Sequence, residues 1–129
     1  MMMPPRVLIV DDSASARDAL AIAAQAAFGD DATIDEAQSG YEALVMFPRG
    51  ALDLVVADVH MPDVTGLELL AFVRAHPMGR AIPCVLVSAS LREKERSLAL
   101  GADAFLHKPF ALREAELLFR RFLRRAEPA

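Results

Sequence analysis

Val7-Leu8-Ile9-Val10 runs directly into Asp11 and Asp12, and the same figure returns at Leu54-Val55-Val56-Ala57 before Asp58 and at Cys84-Val85-Leu86-Val87 before Ser88. A weaker copy, Ala104-Phe105-Leu106, leads to Lys108. None of these runs alternates apolar with polar residues. A strand that is apolar at every position has both faces covered, which is the condition inside a parallel sheet flanked by helices. Thr33 to Ala37, interrupted by Asp35 and Glu36, reads as an edge strand of the same sheet.

The segments between these runs carry helical spacing. Leu112, Ala115, Leu118, Phe119 and Phe122 fall on one face of a helix, with Arg120, Arg121, Arg124 and Arg125 opposite. Residues 13–28 are Ala-rich, with Leu20 and Phe28 directed inward. Tyr41 with Leu44 and Phe47 marks a short helix, Leu67 with Leu70 and Val73 another, and Leu91 to Leu100 a fourth. Glycines at 29, 40, 50, 66, 79 and 101 and prolines at 48, 62, 77, 83 and 109 fall at element ends or in loops. Five strands alternating with five helices, with no linker or low-complexity segment, predict one α/β domain doubly wound around a parallel sheet.

The composition agrees with a packed domain. The chain has 129 residues, 54% hydrophobic and 25% charged, which excludes a disordered or fibrous chain. A single cysteine, Cys84, excludes an internal disulfide framework and, lying inside an apolar run, reads as an inert core thiol. The opening MMMPPRVLIV is no secretory signal, because its apolar run is short, follows two prolines and stops at Asp11. No apolar stretch approaches the roughly 18 residues of a membrane span. A soluble, cytoplasmic protein with no membrane partner is the expectation.

Net charge is −4 but uneven: residues 1–68 carry 3 basic and 12 acidic side chains, and residues 69–129 carry 11 basic and 6 acidic. So acidic a first half does not suit a phosphate backbone, which disfavours nucleic acid as a partner. The arginines at 120, 121, 124 and 125 read as a solvated or protein-contact face, favourable near a helix C-terminus, in preference to a DNA-binding surface.

In an open α/β sheet, ligands bind in the crevice beyond the carboxyl ends of the strands. Asp11, Asp12, Asp58, Ser88 and Lys108 would therefore meet in one pocket. Three crowded carboxylates oppose one another's ionisation unless a cation compensates them. Hard oxygen ligands of this kind suit Mg²⁺. An Asp carboxylate can also attack phosphorus and form an aspartyl phosphate, a Lys can neutralise the added charge, and a Ser hydroxyl can donate to a phosphoryl oxygen. No His/Cys spacing suits zinc, so His76 and His107 read as structural or exposed.

Four blocks, VLIVDDS, LVVADVHMPDVTGLELL, VLVSAS and ADAFLHKPF, stand in this order with these residues at the strand ends. By them the chain resembles a response-regulator receiver domain of two-component signalling, of the chemotaxis-regulator kind, over residues from about Arg6 to Arg125. The resemblance implies a flavodoxin-like fold with strand order 2-1-3-4-5 and a single receiver domain over residues 1–129.

It also implies roles. Asp58 would accept a phosphoryl group from a sensor histidine kinase or histidine phosphotransfer protein. Asp12 would bind Mg²⁺ directly, Asp11 mainly through water, and Asp58 and the backbone carbonyl of His60 would complete the set. Lys108 and Ser88 would contact the phosphoryl group, and the Lys108-Pro109 bond would be cis. Phe105 stands where the family has an aromatic switch residue, though it reads also as plain packing. His60 and Ser90, each two residues past a pocket residue, would tune phosphoryl lifetime. His60 reads equally as a solvated loop residue. The fourth helix, fifth strand and fifth helix would form the face for an output partner or a second copy of the chain. Two rivals remain: a Mg²⁺-dependent phosphohydrolase with an Asp nucleophile, for which His60 is a poor stand-in for the general acid, and a pseudo-receiver that binds partners without phosphorylation.

Overall fold

A computed structural model of the chain describes residues 3–123. The elements, in order, are β1 (Arg6–Val10), α1 (Ala14–Phe28), β2 (Thr33–Ala37), α2 (Gly40–Met46), β3 (Leu54–Asp58), α3 (Gly66–Ala75), β4 (Cys84–Ser88), α4 (Glu93–Ala99), β5 (Ala104–His107) and α5 (Leu112–Arg120). Short 3-10 turns follow α2 at Phe47–Arg49 and α3 at Pro77–Gly79. The five strands form one parallel sheet in the order β2-β1-β3-β4-β5.

Successive side chains of a strand point to opposite faces, and here both faces are packed. Val7 and Ile9 of β1 join Leu54 and Val56 of β3 and Val85 and Val87 of β4 in a core closed by α1 and α5. Leu8, Val10, Val55, Ala57 and Leu86 face the other way, into a core that includes Phe47 and the α3 residues Leu69, Leu70 and Val73. This double burial is why the strands read as unbroken apolar runs. Each fully buried Leu, Val or Phe contributes about 1.5–3 kcal/mol by leaving water. The small residues Ala23, Ala24 and Ala27 let α1 lie close against Ala115 and Phe119 of α5.

Helix starts follow local chemistry. Ser13 caps α1 by accepting from the Ala16 N–H. Thr65 and Glu68 form a reciprocal capping box on α3, with bonds of 3.1 and 3.0 Å. The Lys108–Pro109 peptide is cis. No described helix is long and apolar enough to cross a membrane.

Three expectations need correction. The fourth helix runs only from Glu93 to Ala99, so the apolar residues Leu91 and Leu100 lie outside it. Its one buried residue is Ser97, and Leu91, Leu98 and Leu100 are exposed, because the helix turns a small polar side chain to the sheet. Leu112 is 47% exposed, since it opens α5 ahead of the turns that cover α1. The short helix read from Tyr41, Leu44 and Phe47 ends at Met46, and Phe47 falls in the 3-10 turn that follows; Gly40 and Ala43 face inward on α2, which leaves Tyr41 exposed. Arg124 and Arg125 of the arginine cluster lie outside the described residues. Arg120 pairs with Glu116 at 2.9 Å, a surface ion pair one helical turn apart.

Candidate functional site

The sheet reverses direction of growth beside β1, whose neighbours are β2 and β3, and the crevice at that switch lies beyond Val10 and Asp58. Three carboxylates meet there. Oxygens of Asp11, Asp12 and Asp58 all lie within 4.8 Å of one another. Asp11 is fully buried and Asp58 nearly so, whereas Asp12 is exposed. Lys108, from the far end of β5, reaches across: Nζ stands 2.8 Å from Asp11 Oδ2 and 3.6 Å from Asp58 Oδ1.

Asp11 is held from every side. Its Oδ1 accepts from the Ser13 N–H at 2.9 Å, its Oδ2 from Lys108, and its backbone carbonyl from Arg17 Nη1 at 2.7 Å. Both carboxylate oxygens are thus already engaged, and Asp12 is the acid free to face a cation from solvent. Sequence reasoning missed Arg17; its signal was a cation on the first turns of the helix that leaves the acid pair.

The electrostatics follow from burial. Burial pushes the Asp58 carboxyl above its usual range, the Asp11 charge adds to this, and Lys108 opposes it. For Lys108, burial alone would lower the ammonium, but the hydrogen bond to Asp11 and the charges of Asp58 and Asp11 prevail and raise it. A pocket with three carboxylates and one ammonium is short of positive charge. Hard oxygen donors in that state fit a divalent cation such as Mg²⁺.

Ser88, the last residue of β4, is fully buried, and its Oγ accepts from the Ser90 N–H at 3.0 Å. Its carbonyl accepts from the Lys108 N–H at 2.9 Å, which ties the end of β4 to the loop after β5. His60 is largely exposed, with Nε2 3.8 Å from Glu93 Oε1 at the head of α4. Phe105 is half-buried and packs against the second core. A cleft of about 420 Å³ lies away from the acids, between α4, β5 and α5, with Leu91, Phe105, Leu117 and Leu118 in its walls.

His76, His107 and Cys84 stand apart from the acid pocket. His76 Nδ1 accepts from the Met78 N–H, and its ring meets Phe47 edge to face at 5.3 Å. His107 Nε2 lies 3.1 Å from the Ala89 carbonyl oxygen. Cys84 is buried, and burial pushes its thiol up to about 11.

A doubly wound sheet with an acid triad and a lysine at the switch defines a class of phosphoryl-handling α/β domain, and comparison with known proteins gives the family. Residues 7–119 match the family model of the response regulator receiver domain. The chain is 37% identical over 128 residues to the response regulator MprA of Mycobacterium sp. (strain KMS), a match covering 98% of this chain and 54% of that protein. Among solved structures it is similar to the chemotaxis response regulator CheY4 of Vibrio cholerae, with a TM-score of 0.83 and 30% identity, covering 95% of this chain and all of that one. The response regulator TrrA of Thermotoga maritima, solved in complex with Mg(2+)-BeF, is 29% identical with a TM-score of 0.80, covering 92% of this chain and 99% of that one. The chain belongs to the response regulator receiver domain family, the phospho-accepting signalling module of two-component systems. It spans about half the length of the curated relatives it matches.

Proposed function

We propose that Asp58 is the phosphoacceptor and that Asp11, Asp12, Asp58 and the backbone carbonyl of His60 hold Mg²⁺. The observation that carries this is the meeting of three carboxylate oxygens within 4.8 Å. Lys108 Nζ, already 3.6 Å from Asp58 Oδ1, adds a fixed positive charge on the acceptor itself. Asp12, the exposed acid, would face the cation directly, and Asp11, whose oxygens already accept from Ser13 and Lys108, would act through water. The metal supplies charge neutralisation for the carboxylates and the incoming phosphoryl oxygens.

In the reaction, an Asp58 oxygen attacks phosphorus on a phosphohistidine of a sensor histidine kinase or phosphotransfer protein. The O–P bond forms, the P–N bond breaks, and the electron pair leaves on the imidazole nitrogen, which takes a proton. Lys108 and the Ser88 hydroxyl then contact the phosphoryl group. That group brings about −1.5 to −2 charges into a nearly closed pocket. Ser88 would leave its bond to the Ser90 amide to reach the phosphoryl, and Phe105 would turn inward behind it. His60 and Ser90 flank the approach of water and so tune the lifetime of the acyl phosphate.

The α4–β5–α5 face receives the signal. Its cleft is walled in part by the exposed Leu91 and Leu117, an apolar surface suited to an output partner or a second copy of the chain. On this reading residues 1–129 act as one receiver domain in the cytoplasm, a signalling element whose chemistry is limited to its own phosphorylation and dephosphorylation. Incubation with a small phosphate ester and Mg²⁺ tests this against a hydrolase. The reading predicts no sustained release of phosphate, and many turnovers per chain would overturn it.

A further inference from the structure

The loop that follows Asp58 has a second attachment, remote from the acids. Asp63 Oδ2 accepts from the Tyr41 N–H at 2.9 Å and Oδ1 from the Gly40 N–H at 3.3 Å. These amides open α2, and first-turn N–H groups have no partner within their own helix. A carboxylate there is also favoured by the helix dipole. The bonds from Tyr41 and Val64 hold the Asp63 carboxyl below its usual range, so it stays ionised through neutral pH. Ser39 caps the same helix independently, accepting from the Glu42 N–H at 3.1 Å.

The loop backbone is pressed on that turn. A Cβ at Gly40 would lie 2.4 Å from the Val64 carbonyl oxygen and 2.6 Å from Val64 Cβ. At the other end of the loop the Gly66 N–H donates to the Val59 carbonyl at 2.9 Å. The 59–65 loop is therefore closed at its base by the bond between Gly66 and Val59 and held on α2 by Asp63, and His60 lies between Val59 and Asp63.

We propose that Asp63 is a positioning residue that couples the metal pocket to α2: it holds the 59–65 loop on the helix so that the His60 carbonyl is presented to the acids, and occupancy of the pocket is felt at the Gly40 and Tyr41 amides. The proposal rests on the assignment of Asp11, Asp12, Asp58 and His60 to Mg²⁺ made above. Such coupling is reciprocal, so a partner that grips α2 tightens metal binding to the same degree that the metal tightens α2.

The chain carries its own probe of this contact, since Tyr41 is its only tyrosine and it has no tryptophan. The experiment is a Mg²⁺ titration by calorimetry with Tyr41 emission followed in parallel. The wild type is expected to bind Mg²⁺ with a change in emission. Asp63→Ala is expected to weaken binding on the order of tenfold, the low end of what loss of a residue supporting a ligand costs, and to abolish the emission change. Asp63→Asn, which keeps one acceptor oxygen, should fall between the two. Ser39→Ala removes the other cap of α2 and is expected to lower thermal stability while leaving Mg²⁺ affinity in place. Wild-type affinity in Asp63→Ala, or an equal loss in Ser39→Ala, overturns the coupling. A wild-type chain that binds no Mg²⁺ at all overturns the metal assignment, and the coupling with it.

Discussion

Lys108 Nζ stands 2.8 Å from Oδ2 of the fully buried Asp11, across 97 residues of sequence, and is the only cation within ion-pairing distance of that carboxylate among the described residues. The two ends of the fold are thereby joined at the pocket by one charge-assisted bond. Before any cation arrives, Lys108 is what makes a buried Asp11 tolerable.

Lys108→Met should accordingly destabilise the metal-free chain by about 3 kcal/mol, the low end for breaking a buried pair, because Lys108 keeps 23% exposure. Mg²⁺ should restore most of that loss by taking the place of the ammonium. Chemical denaturation with and without Mg²⁺ checks this; a variant as stable as wild type in the absence of metal would contradict it.

Asp58→Asn should act in the opposite direction. In the folded chain the Asp58 carboxyl titrates above its ordinary value of 3.8. The folded state then keeps a proton that the unfolded chain has lost, so stability falls as pH rises from about 3.8 through the raised folded value. Asparagine carries no such cost. Thermal unfolding without Mg²⁺ should show the variant more stable than wild type at neutral pH, with the difference vanishing below the ordinary carboxyl range.

Gly66→Ala tests the packing of α3 beneath the acceptor. An added Cβ would lie 2.4 Å from the Asp58 carbonyl oxygen and 2.9 Å from Val59 Cα, both backbone atoms that cannot swing aside. A loss of about 1–3 kcal/mol is expected in a denaturation midpoint, together with weaker Mg²⁺ binding, since the displaced backbone carries Asp58.

Cys84 should be silent in the native state. Burial moves its thiol from 9.0 to about 11, which lowers the thiolate fraction at neutral pH about a hundredfold before steric shielding is counted. A thiol reagent should label it at the rate of unfolding, and fast labelling under native conditions would show that the strand is not packed as described.

Much of this was legible in the sequence. The strands β1, β3 and β4 could be read because helices cover both of their faces, and β2 because Asp35 and Glu36 mark an edge. The acids, Ser88 and Lys108 could be read because a parallel sheet brings its carboxyl ends to one side, whatever their separation along the chain. What escaped were contacts made to backbone groups. Asp63 on the α2 amides leaves no pattern in side-chain spacing, and Arg17 on the Asp11 carbonyl leaves only a cation on the first turns of α1. The facing of α4 escaped for a different reason. Leu91 and Leu100 bound the segment read as a helix, but the helix runs only over Glu93–Ala99 at the edge of the sheet on β5, where it buries Ser97 and leaves Leu98 exposed.

The most direct measurement of the central claim is the position of the phosphoryl group. Phosphorylation by acetyl phosphate with Mg²⁺, followed by borohydride reduction, converts a phosphorylated aspartate to homoserine, which peptide mass spectrometry locates. The account predicts homoserine at position 58 alone and no phosphoryl mass increase in Asp58→Ala; homoserine at another aspartate, or a mass increase that survives Asp58→Ala, would contradict it.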